Sequence, residues 1–148
     1  MKVGLEHAEA PADAADLDRL ERLLERPLPA DYRRFMLAHG GGRMEPNDQA
    51  VKEVFSLRNG APNWQSLWWK LSVFSERLPD WLLPVADDEY GNLIAISTRQ
   101  EDFGSVWHWD HEGEDDEADP PTESNIEWRA ADWREFTLSL RAITGDVE

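Results

Sequence analysis

The sequence predicts an α+β fold: a single domain in which helices flank a mostly antiparallel central sheet. Two observations predict it. Apolar residues recur at helical spacing in two segments near the N-terminus, in one near the middle and in one at the end. Between the last two lie short β-branched and aromatic runs separated by turn residues, and strands that follow one another in the chain favour hairpin pairing. The length of 148 residues and a hydrophobic content of 41% suit one core, and the lack of cysteine excludes a disulfide framework or a thiolate metal site.

Asp13 to Arg26 carries leucines at 17, 20, 23 and 24, one face of a helix, with Asp13 and Asp16 favourably placed at its positive end; Pro27 and Pro29 stop it. A second helix is predicted from about Ala30 to His39, burying Tyr32, Phe35 and Met36, with Gly40, Gly41 and Gly42 as its exit. Val51 to Leu57 reads as a strand, ended by a turn at Asn59, Gly60 and Pro62. From Asn63, a candidate cap, to Leu78, the residues Trp64, Leu67, Trp68, Leu71, Phe74 and Leu78 follow helical spacing, with Trp69 to one side of the stripe.

Two strands follow, Leu82 to Ala86 and Leu93 to Ser97, joined by an acidic turn that would hold Asp87, Asp88 and Glu89 at one tip. Ser105 to Asp110 and Asn125 to Ala130 read as further strands. Asp132, with Glu135 three positions on, resembles a capping box opening a last helix that carries Trp133, Phe136, Leu140 and Ile143. Residues 13–144 form the expected core of the domain.

The charge is distributed unevenly. The chain carries a net charge of -16, and the segment from Asp80 to Glu127 alone carries -14, leaving -2 for everything else. The densest part, Asp110 to Asp119, has seven acids in ten residues, and Pro120 and Pro121 end it. It reads as a mobile, solvated loop over 110–121, because mutual repulsion opposes packing. Such a chain repels phosphate backbones and attracts basic proteins, so direct nucleic-acid binding is not expected. The longest stretch free of charged residues has eleven residues, too few to span a membrane, and the N-terminus lacks the pattern of a secretory signal. Cytoplasmic residence and a monomer are the default expectations.

Several motifs recur in a fixed order. Leu28-Pro29-Ala30-Asp31-Tyr32 enters the second helix, which runs through Phe35 to the three glycines. Leu83-Pro84-Val85-Ala86 is followed by the acidic turn with Gly91-Asn92, the apolar strand Leu93 to Ser97, and a strand led by Gly104 that ends in Trp109-Asp110-His111-Glu112. The helix from Trp133 to Leu140 completes the series. In order and spacing, from about Leu17 to Leu140, this pattern resembles the SUKH superfamily. Its founding member is a fungal regulator of cell-wall synthesis, and its bacterial members are largely immunity proteins against polymorphic toxins. The resemblance implies a non-enzymatic protein-binding domain. The acidic insertion after Glu112 and the Trp64 to Trp69 segment match no motif of the family.

Other chemistries are disfavoured by the residues themselves. His108, Asp110 and His111 are suitable metal ligands, but on an extended strand His111 points away from the other two. The acidic loop does not reproduce the spacing of a calcium-binding EF-hand loop. There is no G-x-S-x-G elbow and no phosphate-binding glycine loop, so an enzyme is not expected, and no cofactor or metal is implied.

The reading that results is an immunity protein that binds and neutralises a cognate toxin, a basic nuclease-type protein, through an acidic surface. The expected contacts are Asp87, Asp88, Glu89, Asp110, Glu112, Glu114, Asp115, Asp116 and Glu117, with Trp107 and Trp69 as aromatic anchors. The alternative is an intracellular scaffold or regulatory module with several partners.

Overall fold

The structure is a computed structural model that describes residues 3–143. Its strands are β1 (Leu5–Ala8), β2 (Gly42–Met44), β3 (Val51–Val54), β4 (Leu82–Asp88), β5 (Leu93–Ser97), β6 (Val106–Trp109) and β7 (Ile126–Ala130). They form one seven-stranded sheet in which each strand pairs antiparallel with its neighbours in sequence. The helices are α1 (Ala14–Leu24), α2 (Ala30–His39), α3 (Leu67–Phe74) and α4 (Trp133–Ser139). The predicted α+β class and antiparallel sheet are those observed.

Local chemistry accounts for the helix bounds. Asp13 caps α1 with Asp16 reaching back to its backbone, and the left-handed Gly40 closes α2 through a hydrogen bond from its N–H to Met36. Asp132 caps α4 by accepting from the Glu135 N–H at 2.7 Å. Leu17 and Leu20 of α1, Tyr32 and Met36 of α2, and Trp133, Phe136 and Leu140 at α4 all enter one core with Leu83, Val85, Ile94, Ile96 and Val106 of the sheet. Trp133 anchors the helical layer: Tyr32 meets it edge-on at 6.0 Å and Phe35 at 5.4 Å, while Phe136 stacks on it at 5.7 Å.

Four expectations are corrected. The middle helix starts at Leu67, not Asn63, because residues 63–65 form a separate turn, closed by the Gln65 and Ser66 N–H groups on the Pro62 carbonyl, and Ser66 is extended. The Ser56 N–H bonds the Gln65 carbonyl, the Leu67 N–H bonds the Ser56 carbonyl, and Ser66 then caps the helix by accepting from the Trp69 N–H. That leaves Trp64 outside the helix and 58% exposed. Second, Asp87 and Asp88 belong to β4, where they pair with Glu53 and Val51 of β3, so only Glu89 stands at the turn. Third, α4 stops at Ser139. The Ile143 N–H bonds the Pro46 carbonyl, and Ile143 lies in the open, not on a helical stripe.

Fourth, the sheet begins with β1, ahead of the span expected as core, and continues with β2 inside it; neither carries an apolar alternation strong enough to mark it. The three glycines after α2 do more than end a helix. At Gly42, where φ is +131°, a Cβ would lie 2.2 Å from the His7 carbonyl oxygen, so only glycine lets β2 approach β1 this closely. Among the described residues no helix is long and apolar enough to cross a membrane.

Candidate partner-binding surface

The two acidic stretches, separate in sequence, meet at one end of the sheet. The turn after β4 is closed by Asp88, whose Oδ1 accepts from the Tyr90 and Asn92 N–H groups at 2.9 Å each. Asn92 in turn holds the start of the acidic loop: its Oδ1 accepts from the His111 N–H at 3.1 Å and lies 2.6 Å from His111 Nδ1. Gly91, with φ at +85°, passes beneath the same imidazole; a Cβ there would sit 3.4 Å from it. Glu89 and the loop that opens with the short 3-10 helix His111–Gly113 therefore share one end of the molecule.

The loop is tied down. Asp110 and Asn125 bridge its two ends, through Asp110 N–H to the Asn125 carbonyl at 3.0 Å and Asn125 Nδ2 to the Asp110 carbonyl at 2.9 Å. Arg77, just beyond α3, donates to both oxygens of Glu114 at 2.9 and 2.8 Å while its guanidinium lies over Phe74 and Trp109. The hydrogen-bonded Glu114 carboxylate raises the Arg77 pKa above its ordinary value. The loop thus has an anchor where repulsion alone would leave none. Replacing Arg77 with Ala should cost about 1 kcal/mol of stability. It should also speed amide exchange at Gly113, Glu114 and Ala118, whose N–H groups close the turns of the loop.

The expected contact residues divide accordingly. Glu89, Glu112, Asp115, Asp116 and Glu117 are exposed, and Asp110 is half-buried with its Oδ1 accepting from the Glu112 N–H. Glu114 is turned inward, with 9% of its side chain exposed. Asp88 is buried and fully committed. Besides the turn, it accepts from His108 Nε2 at 3.0 Å and from Asn92 Nδ2 at 3.2 Å. Burial would push its pKa up, but the bonds from His108, Asn92 and Tyr90 outweigh that and hold the carboxyl below its ordinary range.

Asp87 is half-buried, and its Oδ1 accepts from the Glu53 N–H at 3.1 Å. Burial pushes it up to about 6, against the opposing pull of Lys70 and Lys52. Its neighbour Glu53, 1% exposed, is also raised by burial, though Gln65 donates to it at 3.2 Å.

Of the two expected aromatic anchors, Trp69 is 38% exposed, whereas Trp107 is half-buried, edge-on to Trp81 at 5.6 Å, with Nε1 donating to Ser105. Trp128, which the sequence does not single out, is 52% exposed and directly across from Trp107 on β7. Alternation along Ile126–Ala130 would have placed it on one face, but not shown that face open. His108 and His111 turn to different partners, Asp88 and Asn92, and among the described residues no three metal-ligating side chains converge.

The description of the SMI1 / KNR4 family (SUKH-1) matches residues 11–139. The chain belongs to this family. The SUKH domain so defined covers α1 to α4 and, within the sheet, everything from β2 onward, including both acidic stretches. The family includes immunity proteins. A search of curated proteins finds no match.

Proposed function

We propose that this SUKH domain is an immunity protein that binds a basic toxin, with nuclease-type toxins the favoured class, and holds it inactive in a stoichiometric complex. One observation carries the reading: a charge of -14 is concentrated between Asp80 and Glu127, and five of its exposed acids, Glu89, Glu112, Asp115, Asp116 and Glu117, belong to the turn and the loop that meet at one end of the sheet. Toxins that act on nucleic acid present basic clefts, because they must hold phosphates, and an anchored acidic ridge matches such a cleft in charge. Asp87, Asp88 and Glu114 then support the ridge from within. Trp69 is a flanking aromatic contact.

The test begins with affinity capture from cells that carry the gene, eluted by a salt gradient. The captured protein should be basic, lethal when expressed alone and harmless when co-expressed with this chain. Replacing Glu112, Asp115, Asp116 and Glu117 with their amides should weaken binding about tenfold and flatten its dependence on salt, since exposed charges act through screened fields. Unchanged affinity would place the contact elsewhere. Several weak partners with no toxin among them would favour a scaffold.

A further inference from the structure

The side of the sheet that carries Trp107 has a second apolar cluster, apart from the main core, formed by Trp81, Leu82 and Ala95 with Trp107 and Ile126 packed on it. Pairing across β4, β5, β6 and β7 aligns Pro84, Ala95, Trp107 and Trp128 in one row. At its inner part the row is closed: Arg99 stacks on Trp81 with its guanidinium 3.5 Å from the ring centre, and its fork is taken by Asp102 at 3.0 and 2.9 Å. Glu123 accepts from Trp81 Nε1 at 3.3 Å. The same arrangement recurs at Arg77, stacked over Phe74 and Trp109 and forked by Glu114. Twice, then, the chain pairs an arginine with an aromatic face and a carboxylate.

The outer end of the row is open. Trp128 is 52% exposed, and among the described residues no cation lies over its ring. The acidic loop runs directly into its strand, with Glu123 five residues before it. We propose that Trp128 receives an arginine side chain of the basic partner, stacked on the indole, with the acidic stretch ahead of β7 supplying the countercharge. The proposal rests on the acidic end being a docking surface, and it specifies what that surface prefers. A guanidinium is planar and weakly hydrated and stacks on indole, whereas an ammonium is a compact, strongly hydrated charge. Charge alone attracts both; Trp128 would distinguish them.

The probes are hexa-arginine and hexa-lysine amides, titrated into the full chain at about 0.15 M salt while the indole N–H signals are followed by NMR. Hexa-arginine should bind about threefold more tightly than hexa-lysine and shift the Trp128 signal, which its loss in W128A assigns. W128A should bring the two peptides to near-equal affinity with little change for hexa-lysine, and W128F should keep part of the preference. Equal binding of the two peptides by the parent chain, a preference that survives W128A, or an unmoved Trp128 signal would overturn the proposal. The four-amide loop variant separates this from the toxin reading. It should weaken both peptides alike, and it leaves the arginine preference in place if the Trp128 site is real, whether or not a toxin is ever captured.

Discussion

Replacing Asp88 with Ala should destabilise the protein by about 3–5 kcal/mol, measured as a shift in the midpoint of urea unfolding, because it leaves a half-buried imidazole and a turn without their acceptor. Asp88 is 5% exposed and takes four hydrogen bonds: two from the backbone of the turn it closes, one from Asn92 Nδ2 and one from His108. A carboxylate can only accept, so His108 Nε2 carries the donated proton, and without Asp88 that N–H loses its acceptor. Asp88→Asn is the finer probe. Its remaining oxygen can still close the turn, so the loss should be about 1–3 kcal/mol, that of the His108 and Asn92 side-chain contacts, both made by Oδ2. The pH dependence has a definite sign. The folded carboxyl lies below its ordinary value of 3.8, so its stabilisation is complete above that value and is lost as pH falls through the folded one. The gap between parent and Asp88→Asn should therefore close in strong acid and stay constant near neutrality. A loss under 1 kcal/mol for Asp88→Ala would mean that the turn is held by backbone bonds alone.

The same residue shows how much was legible in the sequence. Every helix and the five strands from β3 onward left a local signal, because apolar spacing and caps act within a few residues. Asp132 with Glu135 and the bounds Ala30 to His39 could be read directly for that reason. Asp88 read as one of three tip carboxylates because adjacent acids look alike in a sequence; strand pairing with β3 sends it inward. The predicted middle helix starts too early because Trp64 satisfies the helical period and Asn63 can cap it, whereas Gln65 and Ser66 pair with Ser56, a contact made across nine residues or more. β1 and β2 were missed because their pairing depends on the close approach at Gly42, not on side-chain alternation.

The acidic segment raised the same difficulty. Repulsion among seven carboxylates argued for a loop without fixed contacts, and composition holds no hint that Arg77, more than thirty residues upstream, would neutralise Glu114 from beneath. The outcome is a division of labour. Inward carboxylates hold the loop and turn to the sheet, and the outward ones keep their charge unpaired. A ridge anchored in this way loses less conformational entropy when it docks than a free acidic tail would.

Asp87 works in the opposite sense to Asp88, and replacing it with Asn should stabilise the protein by about 2 kcal/mol at pH 7.5. Its carboxyl, ordinarily at 3.8, stands at about 6 in the fold, chiefly because burial penalises the charge. At about 1.4 kcal/mol for each tenfold change, ionising it costs the folded state roughly 2–3 kcal/mol at neutral pH, and its partly open position trims that figure. The folded state binds this proton more tightly than the unfolded chain, so its favourable contribution is complete below 3.8 and is lost as pH rises through about 6. The advantage of Asp87→Asn should accordingly be full above pH 7, shrink through 6 and vanish near 4, as followed by thermal melts across that range. The amide keeps the one bond that matters to the sheet, since its oxygen can still accept from the Glu53 N–H. Lys70 opposes the gain: burial already lowers its pKa, and Asp87 is the charge that offsets this. A variant less stable than the parent at pH 7.5 would show that the attraction of Asp87 for Lys70 and Lys52 outweighs its burial, and the carboxylate would then be a stabilising partner of α3 and not a cost borne by the sheet.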